Sequence, residues 1–482
     1  MPAATATATA TVTVTATATA TATIEARHLG CAHFLHDHGV RYAYVCGAMV
    51  KGIASASLVA RMANAGLLSF YGSGGQRLET IDAALTKIRT SIRAQAPFGV
   101  NFLHNMLMPS LEDDLVDLLL RHDVRVVEAA AFIDVTAALV RYRCTGLSER
   151  PDGSVAERHR IIGKVSRLEV AERFLAPPPA ELVQALLNSG RITALEARLA
   201  QRIPLASDLC AEADSAGHTD KRVAAVLLPE LLRLRDAARK RHGYLALPRV
   251  GLAGGLGTPA AIAAAFVLGA QFVLTGSINQ CTIEAETSDA VKDLLAAAGT
   301  QDCDMAPAGD MFEIGARIQV LRKGVLFAAR ANRLYELYRQ LTSIEDLDAG
   351  TRRTIEQTYF HGRTFDAVWE ETKMHYARVS PSEIDRAQTY PKQKMAMIFR
   401  WYYTHSNRLA LAGTAAGRVD YQIHCGPAMG AFNAWAAGTR FENWRDRHVD
   451  EIAQALMEGA AGHLTLLYRR MSGQNQGGAH HV

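Results

Sequence analysis

What this sequence lacks narrows its possibilities first. Its seven cysteines, Cys31, Cys46, Cys144, Cys210, Cys281, Cys303 and Cys425, are odd in number and widely scattered, and no two form a C-x-x-C pair. That pattern argues against a disulfide framework and a zinc knuckle, so no metal is expected and the setting is read as a reducing cytoplasm. No run of about 18 apolar residues occurs, and the N-terminus lacks the basic and apolar regions of a secretion signal, so neither a membrane span nor export is expected. Neither sign of charge dominates: 52 Lys and Arg face 48 Asp and Glu, for a net charge of +4. Without a clustered basic patch, that balance gives no reason to expect nucleic acid or an anionic membrane as partner. There is no G-x-x-x-x-G-K-[ST] loop and no G-x-G-x-x-G in a Rossmann setting, so ATP and a tightly docked dinucleotide lack their usual phosphate cradles.

What is present suits a soluble globular protein. A chain of 482 residues, 49% hydrophobic and 21% charged, is long enough for one large domain plus an appendage. Residues 1–24 alternate Ala and Thr and offer too little apolar area to offset the entropy of ordering, so this tail is expected to be disordered. From Arg41 to Asn279, short apolar or β-branched runs alternate with amphipathic stretches. The runs are "YAYVCGAMV" (42–50), "LLSFYGS" (67–73), "FGVNFLH" (98–104), "VRVVEAAAF" (124–132), "HRIIGKVS" (159–166), "DLCAEADS" (208–215), "RVGLAGG" (249–255) and "FVLTGS" (272–277). Strand–helix alternation demands parallel pairing, and eight units in about 240 residues is the size of a (β/α)8 TIM barrel. An open doubly wound sheet is the alternative.

A barrel collects its chemistry where strands end. The strand ends carry Gly47, Ala48 and Met49, then Asn101, Glu128, Lys164, the Glu212–His218 stretch, Gly254 and Gly255, and Gly276 and Ser277. The last two units add a helix opened by Thr258 and Pro259, a good N-cap followed by a good first-turn residue. Loops of this kind form a phosphate site, for which FMN is the best-fitting ligand. The expected domains are an FMN-binding barrel over 25–305, a helical substrate domain over 306–470 and a flexible tail over 471–482. Within the barrel, 167–206 reads as a helical insertion broken at Pro177–Pro179 and positioned to cap the mouth. "MFEIGARIQVLRKGVLFAARANRLYELYRQL" reads as helical, "SIEDLDAG" and "SPSEIDRA" as capped helix starts, and the aromatic run 397–408 as core.

Several segments carry a family resemblance from about Tyr42 to about Ala460: "GAMVKGIAS", "FGVNFLHN", "IIGKVSR", "EADSAGHTDKR", "GLAGGLGTP", "VLTGSINQ", "PAGDMFEIGARIQVL" and "DYQIHCGPAMGAFNAW". In them the chain resembles the barrel flavoenzymes that include nitronate monooxygenases and flavin-dependent enoyl-acyl-carrier-protein reductases. Within these it most resembles the PfaD group, the trans-acting enoyl reductases of trans-acyltransferase polyketide synthases and polyunsaturated fatty acid synthases.

The resemblance implies FMN at the mouth, with Gly47, Ala48 and Met49 beneath its ring and Asn101 near the ring's polar edge. Its phosphate would lie at Gly254, Gly255, Gly276 and Ser277. It implies Lys164 beside the flavin and His218, in "SAGH" where relatives have "GGH", as a proton handler or substrate orienter. Asp214 or Asp220 is expected to orient that imidazole. NADPH or NADH is the implied reductant, an acyl carrier protein the partner, and a homodimer is open. Basic residues expected to face the carrier are Lys392, Lys394, Arg400 and Arg408, or Arg317, Arg322, Lys323, Arg330 and Arg333. Two other readings stay open: a nitronate monooxygenase using O₂, and a non-catalytic barrel docked into a synthase.

Overall fold

The structure is a computed structural model that describes residues 23–105 and 108–472. The expected disordered Ala/Thr tail lies, up to residue 22, outside the described residues, as do residues 473–482 of the expected C-terminal tail. Met471 closes the last helix. Among the described residues no helix is long and apolar enough to cross a membrane.

Each of the eight runs forms a strand: β1 (Tyr44–Cys46), β2 (Leu68–Tyr71), β3 (Gly99–Leu103), β4 (Val126–Ala130), β5 (Arg160–Val165), β6 (Asp208–Glu212), β7 (Arg249–Ala253) and β8 (Val273–Thr275). Every strand pairs in parallel with its neighbours in sequence, and β8 pairs with β1 from Tyr44↔Val273 to Cys46↔Thr275, closing the barrel. Closure excludes the open-sheet alternative. Inward residues such as Val45, Phe70, Ile162, Cys210 and Leu274 fill the interior as one buried cluster. Gly47 is glycine because β8 leaves no room: a Cβ there would meet Leu274 at 2.5 Å.

The helix Ala32–His38 plugs the end of the barrel where the strands begin. Its Phe34 stacks on Phe272 with centroids 4.5 Å apart. Its His38 Nε2 lies 2.8 Å from Asp208 Oδ2, while Arg249 pairs with the other oxygen of Asp208 and with Asp37 at 2.5 Å. Burial alone would raise the Asp208 pKa, but Arg249 and His38 outweigh it and hold the carboxyl well below the usual range.

Seven outer helices follow the strands in the usual places. The eighth place, between Ala56–Asn64 and Pro259–Val267, is filled by Val449–Met471, far downstream. The stretch 276–448 therefore interrupts the last strand–helix unit, and the barrel is completed from inside the expected 306–470 domain. A barrel needs an amphipathic helix over that seam, and the chain supplies it only after its long excursion.

The 167–206 insertion lies elsewhere than expected. Leu168–Leu175 is the ordinary crossover helix. Ala180–Asn188, which starts directly after Pro179, and Ala194–Ala200 pack on Ala137–Cys144. The buried Arg143 donates there to the carbonyls of Pro204 and His159, next to the strand starts. These helices cover the flank and base, leaving the mouth to other elements.

The region read as helical from 306 begins instead with an antiparallel pair, β9 (Cys303–Pro307) and β10 (Arg317–Leu321). Gly315 and Gly324, both at positive φ, bracket "ARIQVLRK" and confine the helix to Phe327–Gln340. Ser343 caps a short turn as expected, whereas Ser380 makes no capping bond to the helix it precedes. The aromatic run is core: Phe399, Trp401, Tyr402 and Tyr403 pack with Phe312 and Phe327 in a second cluster.

Asp208→Asn is expected to destabilise the fold by about 3–5 kcal/mol at pH 7, because it leaves Arg249 short of its buried counter-charge. The native aspartate's folded pKa lies below its ordinary 3.8, so its contribution is complete above about pH 4 and fades as pH falls through the folded value. Urea titrations of both proteins should show the gap in midpoint narrowing only in acid; equal midpoints at neutral pH would contradict this account.

Candidate active site at the barrel mouth

Three neighbouring strand ends place charge at the mouth. Lys164 Nζ of β5 lies 2.9 Å from Glu212 Oε1 of β6 and 3.5 Å from Glu128 Oε1 of β4. The second oxygen of Glu128 accepts the Ala48 amide at 3.0 Å, tying the loop after β1 to the far side of the mouth. Burial lifts the Glu128 pKa despite Lys164 and the Ala48 N–H, and the two carboxylates keep the Lys164 ammonium charged despite its own burial. Ser215 donates to Glu212 at 3.3 Å.

Beside this network on β3, Asn101 donates through Nδ2 to the Glu128 carbonyl at 3.3 Å. Among the described residues its buried Oδ1 has no donor. Gly254 adopts φ +93° and sits so close to the Ala213–Asp214 backbone that a Cβ would lie 2.8 Å from it. Gly255 and Gly276 face open space, next to the helix that Thr258 caps by accepting from Ala261. Ser277 Oγ accepts the Gly426 amide at 3.1 Å, drawing the C-terminal excursion to this spot. Open backbone at two strand ends, a nearby helix N-terminus and an acceptor awaiting an N–H fit a ligand with a phosphate and a polar ring edge. Of the residues expected around a flavin, Ala48 has its amide committed to Glu128.

His218 lies in a short strand, Gly217–His218, which pairs antiparallel with β10 over the mouth. Its Nε2 is 2.9 Å from Asp310 Oδ1, with 40% of the side chain exposed. Burial opposes charge on the imidazole, but the Asp310 hydrogen bond and charge prevail and raise its pKa. Asp310, not Asp214 or Asp220, is the orienting acid. Asp214 accepts from Gln319 at 2.8 Å, while Asp220 accepts from Ser166 at 2.8 Å and pairs with Arg167. Behind His218 stands His424, which accepts from Gln422 at 3.0 Å. Burial, then repulsion by His218 and Lys51, lowers its pKa to about 4, so it stays neutral. Asp310 and His424 stand in "PAGDMFEIG" and "DYQIHCG", distant from "SAGH", and only their shared resemblance segments signalled them.

Most of the basic residues expected to meet a carrier are already occupied. Arg330 is bound to buried Asp420, Arg400 to Glu313, Lys394 to Glu345, Lys323 to Asp302 and Arg333 to Glu336. Lys392 and Arg317 donate to backbone carbonyls. Among the described residues, Arg322 and Arg408 remain without an ion pair or side-chain hydrogen bond.

Residues 35–317 match the nitronate monooxygenase family, and residues 341–421 match the inserted helical domain of [acyl-carrier-protein] S-malonyltransferase. The polyketide biosynthesis protein PksE of Bacillus subtilis is 49% identical over 94% of this chain, which spans 58% of PksE. A polyunsaturated fatty acid synthase component of Thraustochytrium sp. is 44% identical over 85% of the chain, which spans 28% of that longer protein. The crystal structure of the enoyl reductase domain of MlnA, from the macrolactin biosynthesis cluster of Bacillus amyloliquefaciens, superposes with a TM-score of 0.88 at 40% identity. That match covers 93% of this chain and 99% of that one. The chain therefore belongs to the nitronate monooxygenase family and, within it, to the PfaD-type group of enoyl-reductase barrels from polyketide and polyunsaturated-fatty-acid synthesis systems.

Proposed function

We propose that this protein is an FMN-dependent enoyl reductase that uses NADPH or NADH to reduce the α,β double bond of enoyl thioesters on acyl carrier proteins. The observation that carries the reading is the superposition on the MlnA enoyl reductase domain, which covers 93% of this chain.

The residues that would hold FMN are Gly47, Ala48, Met49 and Asn101 toward the ring, and Gly254, Gly255, Gly276 and Ser277 toward the phosphate. When bound, FMN supplies the two-electron relay between nicotinamide and the β-carbon of the enoyl thioester. Asn101 Oδ1 is free to accept a ring N–H. Lys164 uses two of its three N–H donors on Glu128 and Glu212, so the third can meet negative charge developing at the mouth. Its pairing with Glu128 also braces the β1 loop through the Ala48 amide.

His218 delivers the proton that the α-carbon needs. Asp310 holds Nε2–H and favours the imidazolium, leaving Nδ1–H as the proton to donate. A raised pKa favours the loaded, imidazolium form of this acid. His424, neutral beside it, does not compete as a second acid.

The purified protein should carry flavin absorbance near about 450 nm, be reduced anaerobically by NAD(P)H and be reoxidised by a crotonyl thioester. A colourless protein would support the non-catalytic reading, and reduction by propyl-2-nitronate with no response to crotonyl thioester would support the monooxygenase. His218→Ala should retain flavin yet slow reoxidation by crotonyl thioester about 100-fold; an unchanged single-turnover rate would remove His218 from the proton step. Activity should fall as pH rises through the His218 pKa. Asp310→Asn removes the charge that raises it and should move that fall to lower pH in a kcat/KM profile; an unmoved limb would dissociate Asp310 from the acid.

A further inference from the structure

Beside the mouth, an open groove of about 440 Å³ runs along helix Phe327–Gln340. Asn332, Tyr335, Glu336, Arg339 and Gln340 line it, and their spacing of three and four residues makes them one outward stripe of that helix. The opposite stripe, with Phe327, Leu334 and Leu337, is buried in the second apolar cluster. Arg317, the first residue of β10, lines the groove from the other side. Its neighbour Ile318 pairs with His218, and the Thr219 amide donates to the Arg317 carbonyl at 3.4 Å. The groove therefore starts next to the proposed acid.

Its chemistry is cationic with one aromatic anchor. Arg339 is exposed and makes neither an ion pair nor a side-chain hydrogen bond among the described residues. Arg317 spends one N–H on the Met305 carbonyl at 3.0 Å and keeps its other donors. Glu336 is the one acid among the lining residues, and Arg333 holds it at 3.4 Å. Just past Thr219, Lys221 and Arg222 are exposed and likewise lack an ion pair or side-chain hydrogen bond among the described residues. Lys221 is fixed there at φ +50°. Tyr335 is held edge-on by Phe312, with ring centroids 5.3 Å apart. Tyrosine and arginine of this kind are the side chains in which protein interfaces are enriched. Small-molecule sites bury most of their ligand, whereas Glu336, Arg339 and Gln340 are exposed along this groove, which favours a macromolecular partner.

We propose that the acyl carrier protein docks on this groove, an acidic helix lying along it with carboxylates toward Arg317, Arg339, Lys221 and Arg222 and an apolar side chain against Tyr335. The assignment rests on the enoyl reductase reading and adds to it the side from which the tethered thioester arrives. That side is the His218 strand, not helix Pro391–Ala412, whose Lys392, Lys394 and Arg400 already have partners. Unpaired cations facing an acidic partner speed encounter and lose their effect as salt screens them. The phosphates of a nicotinamide nucleotide would also seek arginine, so the test separates the two.

Reoxidation of the reduced holoenzyme is timed with crotonate carried on an acyl carrier protein of a bacterial polyketide synthase and with crotonate on free pantetheine, each at low and high salt. KM for NADPH is measured in the reductive half-reaction. The native protein should show a higher kcat/KM for the carrier-borne thioester at low salt, and high salt should shrink that preference. Arg339→Glu and Lys221→Glu should each lower kcat/KM for carrier-borne crotonate about fivefold at low salt, the scale of an exposed charge contact. Both variants should leave pantetheine-borne crotonate and NADPH unaffected. Carrier-borne turnover that ignores both substitutions, or a native protein indifferent to the carrier, overturns the docking site and leaves the enoyl reductase reading standing. A rise in KM for NADPH in Arg339→Glu with carrier turnover intact overturns it too, and gives the groove to the nucleotide. Failure of the native holoenzyme to reduce either crotonyl thioester removes the enoyl reductase reading itself, and the docking site with it.

Discussion

The closing pair of strands governs the rest of the molecule. β1 and β8 are three residues each, yet their parallel register completes the barrel and sends the chain out of β8 at the mouth. From there it cannot leave, because Val449–Met471 must return to cover the seam between the first and seventh outer helices. Everything from 276 to 448 is thus tethered at both ends to the barrel. A segment that starts at the mouth and is anchored this way packs over it, which is why β10 pairs with the His218 strand and Gly426 reaches Ser277.

The two ends of the barrel treat charge differently. At the base, Asp208 is enclosed by Arg249 and His38, with every partner in place, and the cluster serves closure. At the mouth, Lys164 sits between two carboxylates but keeps a donor free, Asn101 keeps an acceptor free, and Lys51 has no partner for its ammonium among the described residues. Buried polar groups left incomplete on one side of a fold, and completed on the other, mark where a ligand supplies what the protein does not.

Much of this was legible in the sequence because it is local. The eight apolar runs announce strands through β-branched residues bounded by glycine, and Thr258–Pro259 announces a helix start by its own chemistry. Strand ends then point to Glu128, Lys164 and His218 as residues of one face. The partners of those residues were not legible. Asp310 lies 92 residues from His218 and has no spacing relation to it, whereas Asp214 and Asp220 are near in sequence but point to Gln319, Ser166 and Arg167. The helical reading of "ARIQVLRK" failed for a related reason: its amphipathic pattern is compatible with a helix, and the two flanking positive-φ glycines together with a waiting strand edge decide otherwise.

By itself, then, the sequence determined the period of the barrel, the residue types at its strand ends and the family segments, all properties carried by short stretches of chain. Only the tertiary structure decided which acid holds His218, which helix completes the ring, and which basic side chains are already paired. Those depend on a closure that brings residues more than 90 positions apart within hydrogen-bond reach, and no local propensity encodes it.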